Sequence, residues 1–314
     1  MKLRTLLAAS AFAAMLSSVP TYAVTPASGY CGVIDYEKTV SWSVDAKGVL
    51  TLSGTWTSSS KGSVGYMERY TNAPYGGPWG KDIVKIVFKK GVRSVGAYAF
   101  RGLSKVKEVV FENNYNPIKF NYGAFYGCES LESFTFPDKT DYVSTQMFEK
   151  CYSLKSVKLF PSIKWIPQRF FKDCSSLGPE FILPETNTSI GLMAFELCSS
   201  LKKVVINDAC EDIDNLAFRA CYNLTDITIG KSVAEFGEGA FWNTAYSSQR
   251  DIVIRDMATF VQAKFKTSET AGYWPTSSPT CYYSKIYIGD KSHPVTQAGG
   301  ILQQAGDGDY QTVD

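Results

Sequence analysis

Histidine is almost missing from these 314 residues; the one present, His293, lies in a polar stretch near the C-terminus. That argues against Ser-His-Asp, Cys-His and multi-histidine metal chemistry, each of which needs imidazole at a built site. A charge excess is missing too. The formal charge is +2, and Lys2 and Arg4 account for it: without them the basic and acidic residues balance. A dominant attraction to nucleic acid or anionic membrane is thereby excluded. No apolar run reaches the ~20 residues of a membrane-spanning helix, and no P-loop or dinucleotide fingerprint occurs. What is present is a chain 45% hydrophobic and 14% aromatic. That is ample for a core and excludes wholesale disorder. The length allows one large domain or two small ones.

The N-terminus reads as an export signal over residues 1–23. Lys2 and Arg4 precede the apolar stretch Leu6 to Leu16, and Thr21-Tyr22-Ala23 offers a small-residue cleavage site. The expected destination is the cell surface, the medium or the periplasm. Tyr30 directly before Cys31 argues against a lipid-modified cysteine.

The middle of the chain repeats. Phe100, Phe125, Phe148, Phe171, Phe195, Phe218 and Phe241 recur every 23 to 25 residues, most of them after an alanine. Three residues on stands a cysteine (Cys128, Cys151, Cys174, Cys198, Cys221), with Leu103 and Thr244 in that place at the ends. Then come a leucine or valine and an apolar-x-apolar triplet, for example Phe134/Phe136 or Val204/Ile206. A period in the low twenties held for seven units is a solenoid signature. Each triplet reads as a short strand that cannot bury its inner face alone; stacked neighbours bury it and lie parallel. Seven residues after most triplets comes a further apolar anchor: Val95, Val143, Ile166, Ile190, Ile213 or Phe236. Two residues are inserted between Phe111 and Phe120, and one at Gly178-Pro179. Both insertions read as surface bulges, because the framework resumes in phase.

The unit A-F-x-x-C-x-x-L-x-x-V-x-I, with V/I-G ahead of the next Ala-Phe, resembles the BspA-like leucine-rich repeat family over about residues 83–254. Cys31-Gly32, Val40 to Asp45, Gly48 to Gly54 and Pro78-Trp79 resemble the leader segment of that family. The resemblance implies a right-handed α/β repeat solenoid with one parallel sheet, short helices or turns opposite, and a β-rich N-terminal cap. It also implies a non-enzymatic bacterial secreted or surface protein with roles in adhesion. The expected organisation is signal peptide 1–23, cap 24–82, solenoid 83–254, and C-terminal cap with a flexible tail 255–314. A hairpin is expected from Val40–Val44 and Val49–Leu52, and a final strand from Tyr282–Ile288.

Five cysteines at one repeat position would stack closely enough for disulfides on distance alone. Parallel Cβ directions suit that bond poorly, so the reading favours reduced, buried thiols behaving as small hydrophobes. Cys210 shares a slot with Val92, Ile163 and Val233 and reads as core.

The outward lane of the triplets is where a partner is expected: Val110, Thr135, Lys158, Ile182, Val205 and Thr228, continued by Val87 and Val253. Soluble proteins rarely expose a long apolar stripe without a use for it. The competing explanation is that β-branched residues simply favour strands, or that a flank folds over the lane. Other features carry less. The acidic group Asp208, Glu211, Asp212 and Asp214 lacks a calcium-loop pattern. The six tryptophans are dispersed and read as core or cap. Asn187 and Asn223 begin sequons. No cofactor is implied. The reading is protein binding or adhesion through the exposed sheet, to an extracellular, host or matrix protein. A glycan-binding envelope protein is the alternative, and a carboxylate hydrolase is a third and remoter one.

Overall fold

The computed structural model describes residues 24–241 except 58, 62, 64, 71–75, 113–115, 231, 234 and 238. It also describes residue 244 and, from residue 250 on, strand backbone only. The export-signal reading of residues 1–23 and Cys281 lie outside the described residues.

Three antiparallel strands open the chain: β1 (Ala27–Tyr30), β2 (Val40–Val44) and β3 (Val49–Gly54). The β2–β3 turn forms because the Asp45 carboxylate accepts from the amides of Lys47 and Val49, each at 2.9 Å. Gly48 has φ +77°, and a Cβ there would meet the Asp82 carbonyl at 2.7 Å. Short strands then alternate between two faces. They are β4 (Lys85–Phe88), β5 (Ser94–Val95), β6 (Glu108–Phe111), β7 (Ile118–Phe120), β8 (Ser133–Thr135), β9 (Thr140–Val143), β10 (Ser156–Lys158), β11 (Trp165–Ile166) and β12 (Glu180–Ile182). The series continues through β13 (Ser189–Ile190), β14 (Lys203–Val205), β15 (Asp212–Ile213), β16 (Asp226–Ile229), β17 (Glu235–Phe236), β18 (Arg250–Ile254), β19 (Lys264–Phe265) and β20 (Tyr283–Ile288). Even-numbered strands from β4 form the first face and odd-numbered ones from β5 the second, and neighbouring rungs pair parallel except β6 with β8, β10 with β12 and β9 with β11. β3 pairs parallel with β4, so the expected hairpin covers the open edge of the first rung. The expected final strand is β20, which pairs with β18 and then antiparallel with β21 (Lys291–Pro294). In the expected tail, β22 (Ile301–Gln304) and β23 (Tyr310–Val313) pair antiparallel.

The solenoid expectation holds, with two refinements. The second face carries strands of its own, in two sheets, β5-β7-β9 and β11 to β19, built on the apolar anchors: Val95, Val143, Ile166, Ile190 and Ile213 point inward and are buried. The side carrying the Ala-Phe pairs is made of turns, and the single helix among the described residues is the 3₁₀ turn Glu37–Thr39. The reason is conformational. Residues two before and two after each ladder phenylalanine from Phe100 to Phe218 are left-handed: Gln146 (φ 58°) and Lys150 (φ 65°) flank Phe148, and Arg169 (φ 54°) and Asp173 (φ 62°) flank Phe171. A right-handed helix cannot pass through such residues. Instead the alternate amides point along the solenoid and donate to the next rung. Gln146, Phe148 and Lys150 bond the carbonyls of Gln168, Phe170 and Lys172 at 3.0, 3.0 and 2.9 Å. The same three-bond pattern links every successive pair of rungs from Tyr98 to Arg219.

Inside the turns the phenylalanines stack in register. Ring centroids of Phe125 and Phe148 are 6.0 Å apart, of Phe148 and Phe171 5.8 Å, and of Phe195 and Phe218 4.9 Å, with interplanar angles of 14° or less. The cysteines bond across rungs as well. Each ladder thiol donates to the carbonyl of the phenylalanine one rung earlier, as in Cys174 Sγ to Phe148 O at 3.1 Å and Cys221 Sγ to Phe195 O at 3.1 Å. Leu103 stands in the first rung, where no earlier phenylalanine turn exists; Trp79 packs on Phe100 there instead, at 5.2 Å. All seven described cysteines are free and buried.

The Phe148→Ala variant is expected to lose about 3–5 kcal/mol of stability, the cost of emptying a packed aromatic site; urea unfolding measures it. Burial holds the ladder thiols above the ordinary value of 9.0. The fold therefore favours the neutral thiol. That contribution is intact below pH ~9 and declines as the pH rises and the unfolded chain ionises. The urea midpoint should fall between about pH 8 and about pH 10, and fall less when Cys151, Cys174 and Cys198 are replaced by serine. An equal fall in the two proteins would show that the thiols carry none of it.

Candidate functional site on the first sheet

The outward lane runs through the centres of the even strands. Register places Val87 beside Val110, Thr135 beside Lys158, and Ile182 beside Val205 and then Thr228. Thr135 and Lys158 are exposed, and Val110, Val205 and Thr228 are half-buried. Ile182 is 61% exposed, the only large apolar side chain of the six that stands free. Val87 is buried and leaves the lane. The side chain of Val253 lies outside the described residues.

The lane is not one unbroken stripe, and this corrects the expectation of a continuous sheet. The first face is split into β1 to β6, β8 with β10, and β12 to β21. Both splits fall at the insertions in the repeat period, so the inserted residues do more than bulge. At Gly178-Pro179 the extra residue directly precedes β12 and shifts it along β10, and the parallel ladder does not form across that shift. At the second split, Gly178 has φ +136°, and a Cβ there would meet the Ser200 carbonyl at 2.8 Å. The two rungs remain tied at one end by the Gly178 amide on the Lys155 carbonyl (3.2 Å). At the other end Thr186 Oγ1 donates to the carbonyls of Pro161 and Ile163 (2.9 and 2.8 Å). Between these ties β10 and β12 are unpaired, and a cavity of about 230 Å³ opens. Its walls include Val157, Leu159, Phe181, Ile182 and Pro184.

Charges flank the lane in pairs that span neighbouring rungs. Lys85 meets Glu108 at 2.9 Å, Lys155 meets Glu132 at 2.9 Å and Lys203 meets Glu180 at 3.0 Å. The Glu180 carboxylate raises the Lys203 ammonium above its ordinary value, and Lys155 holds Glu132 below its own. Such solvated pairs are screened by water and set charge pattern more than stability.

Other sequence candidates are dispersed by the fold. Trp42 and Trp79 are buried together in the cap, 6.1 Å apart, while Trp165 is 46% exposed on the second face. Asp208, Asp212 and Asp214 are partly buried and Glu211 is exposed; among the described residues no His/Cys/Asp/Glu group is placed to hold a metal. Asn187 is fully buried, so its sequon is closed to modification, whereas Asn223 is exposed with its amide on the Ser199 carbonyl (2.7 Å). One cluster escaped the sequence reading. On the turn side Arg101 lies over Tyr98 and Tyr126 (5.0 and 5.5 Å), and Lys150 lies over Tyr126 (5.6 Å). Arg101 and Tyr126 share one repeat position, directly after Phe100 and Phe125, but differ in residue type, and Tyr98 and Lys150 hold other positions, so no periodicity of residue type marks the cluster.

The profile of the BspA type leucine rich repeat region matches in six copies, over residues 79–179 and 118–248. Among solved structures, a leucine-rich repeat protein from Bacteroides ovatus is similar, with a TM-score of 0.53 and 16% identity over 80% of this chain and 70% of that one. The leucine-rich repeat protein of T. pallidum matches at TM-score 0.39 and 20% identity, over 65% of this chain and 86% of its own. A leucine rich cell surface protein from Faecalibacterium prausnitzii matches at TM-score 0.25 and 15% identity, over 74% of this chain and 94% of its own. Among curated proteins no relative matches. No helix of the described residues is long and apolar enough to cross a membrane.

An Ile182→Thr change should alter stability by less than about 0.5 kcal/mol, as expected for a surface position. Val204→Thr, one rung on and facing inward at 0% exposure, should cost about 1–3 kcal/mol by burying a hydroxyl. Equal costs at the two sites would contradict the inward and outward assignment.

Proposed function

We propose a binding role for this chain, which belongs to the BspA-type leucine-rich repeat family: an exported protein that holds a protein partner on the outward lane of its first sheet. Val110, Thr135, Lys158, Ile182, Val205 and Thr228 form the face. The observation that carries the reading is Ile182, 61% exposed at mid-lane beside half-buried Val205. Paired charges border this drier centre, the arrangement of a protein–protein interface with a polar rim. The family is typically non-enzymatic, and the burial of Trp42 and Trp79 in the cap, away from Trp165, supports binding over hydrolysis. An extracellular, host or matrix protein is the partner class that export from residues 1–23 would bring within reach.

A glycan reading draws on one observation. Tyr142 and Trp165 hold equivalent positions on successive rungs of the second face and are 40% and 46% exposed. Exposed aromatic rings of this kind stack on sugars.

The test is capture of matrix and plasma proteins by the chain from residue 24 onward, run beside a glycan array. Replacing Val110 and Val205 with aspartate is expected to abolish protein capture while leaving the unfolding midpoint close to the parent. Undiminished capture by the folded double variant sinks the lane assignment. Glycan binding lost on Trp165→Ala, without protein capture, would establish the second reading in its place.

A further inference from the structure

The cap carries a pocket that the repeat does not build. Its volume is about 460 Å³, and Tyr30, Cys31, Tyr70 and Pro78 help to give it a mostly apolar lining. Its walls stand back because two glycines press on the structure beneath: a Cβ on Gly32 would run into the Tyr36 carbonyl, and one on Gly77 into the Trp79 ring. Trp79, 5.6 Å away at 67°, holds the Tyr70 ring in place. Tyr30, at the end of β1, is 57% exposed. Two carboxylates join the lining, Glu37 and Glu68, and no lysine, arginine or histidine does. On the solenoid Glu108, Glu112, Glu132, Glu180 and Glu196 each meet a lysine or arginine, whereas Glu37 and Glu68 enter no ion pair among the described residues. Each is anchored by a nearby amide instead: Glu37 accepts from Asp35 (3.2 Å) and Glu68 from Arg69 (2.9 Å), both on Oε1, which leaves Oε2 for a ligand. Burial, the Cys31 thiol and the Glu68 carboxylate all push the Tyr70 phenol up, so the ring stays neutral with a negative charge beside it.

The geometry points to a binding site for an organic ammonium ion, a positively charged nitrogen carrying apolar groups. Three observations select that occupant. The volume falls in the range of small-ligand pockets and holds a small molecule or one long side chain. The charge in the lining is of one sign, so an anion is repelled and a cation finds two partners. The apolar walls and the two tyrosines favour a cation with alkyl groups, because aromatic rings attract such ions and apolar contact costs them little hydration. A bare metal ion is disfavoured: calcium would need six to eight oxygens, and among the described residues no His/Cys/Asp/Glu group is placed to hold a metal. The site stands apart from the outward lane, since none of the six lane residues lines it. It adds a second ligand beside the proposed protein partner, and either can fail alone.

The experiment uses the chain from residue 24 onward and small probes: butylammonium, tetraethylammonium, neutral pentanol and anionic pentanoate. Binding is read by ligand-observed NMR titration. The two cations are expected to bind at least about tenfold more tightly than pentanol, the factor that cation–π and carboxylate contacts supply together. Pentanoate should not bind. Glu37→Gln combined with Glu68→Gln should remove the preference for cations. Tyr30→Ala, at an exposed position, should weaken cation binding roughly twofold to fivefold. A capped peptide with a central lysine among glycines and serines separates the sources. Binding tighter than that of butylammonium assigns the cation to a protein side chain; equal or weaker binding assigns it to a free amine. The inference is overturned if no cation binds, if pentanol binds equally well, or if the folded double glutamine variant keeps the preference. Should that variant not fold, undiminished cation affinity in Tyr30→Ala overturns the inference in its place. Protein capture that depends on Val110 and Val205 stands or falls separately from every one of these outcomes.

Discussion

Hydrogen bonds that run along the solenoid through the Ala-Phe turns hold the rest of the structure in place. The strands are two to six residues long in the rungs, too short to fix a stack through their own pairing. The turns do not have that weakness. Three amides per rung point the same way and find carbonyls at 2.7 to 3.0 Å on the next. The left-handed residues that make this possible are strained wherever they are not glycine, at roughly 1–3 kcal/mol each. That strain is tolerated because without it the buried amides would point at one another or at nothing, which is costlier still in a dry interior. The phenylalanine rings fill the space beneath, and the cysteine thiols add a bond to the carbonyl that the turn leaves half satisfied.

This spine explains why the first sheet can break without the solenoid breaking. At both insertions the first-face ladder is interrupted while the turn ladder continues: Gly102 still bonds Tyr126, and Lys150 still bonds Lys172. One side of the coil is a continuous hinge and the other can part locally. The exposed isoleucine, the uncovered core valine and the free strand edges all follow from one extra residue placed where the strand ladder was the weaker of the two. Function in such a molecule is written in the departures from the repeat, because a perfect repeat buries all its apolar surface and offers a partner only a ribbed, self-neutralised face.

The spacing of seven phenylalanines and the triplets behind them determined the coil, its parallel strands, its buried anchors and its capped first edge. Burial follows repeat phase so closely that Cys210, Ile163 and Ile213 could be placed inside from sequence alone. The identity of the six outward residues was legible for the same reason, since alternation within a triplet is a local property. The turn side was not legible, because left-handed backbone at residues such as Arg169 and Leu197 has no signature in composition. What the thiols do was hidden too, because their acceptor lies one rung away. Only the tertiary structure decided which outward residues stand free, where the two sheets divide, and that Asn187 is sealed in while Tyr98, Arg101, Tyr126 and Lys150 are brought together. Those outcomes depend on how one rung sits on the next, a relation between residues some twenty positions apart that no window along the chain contains.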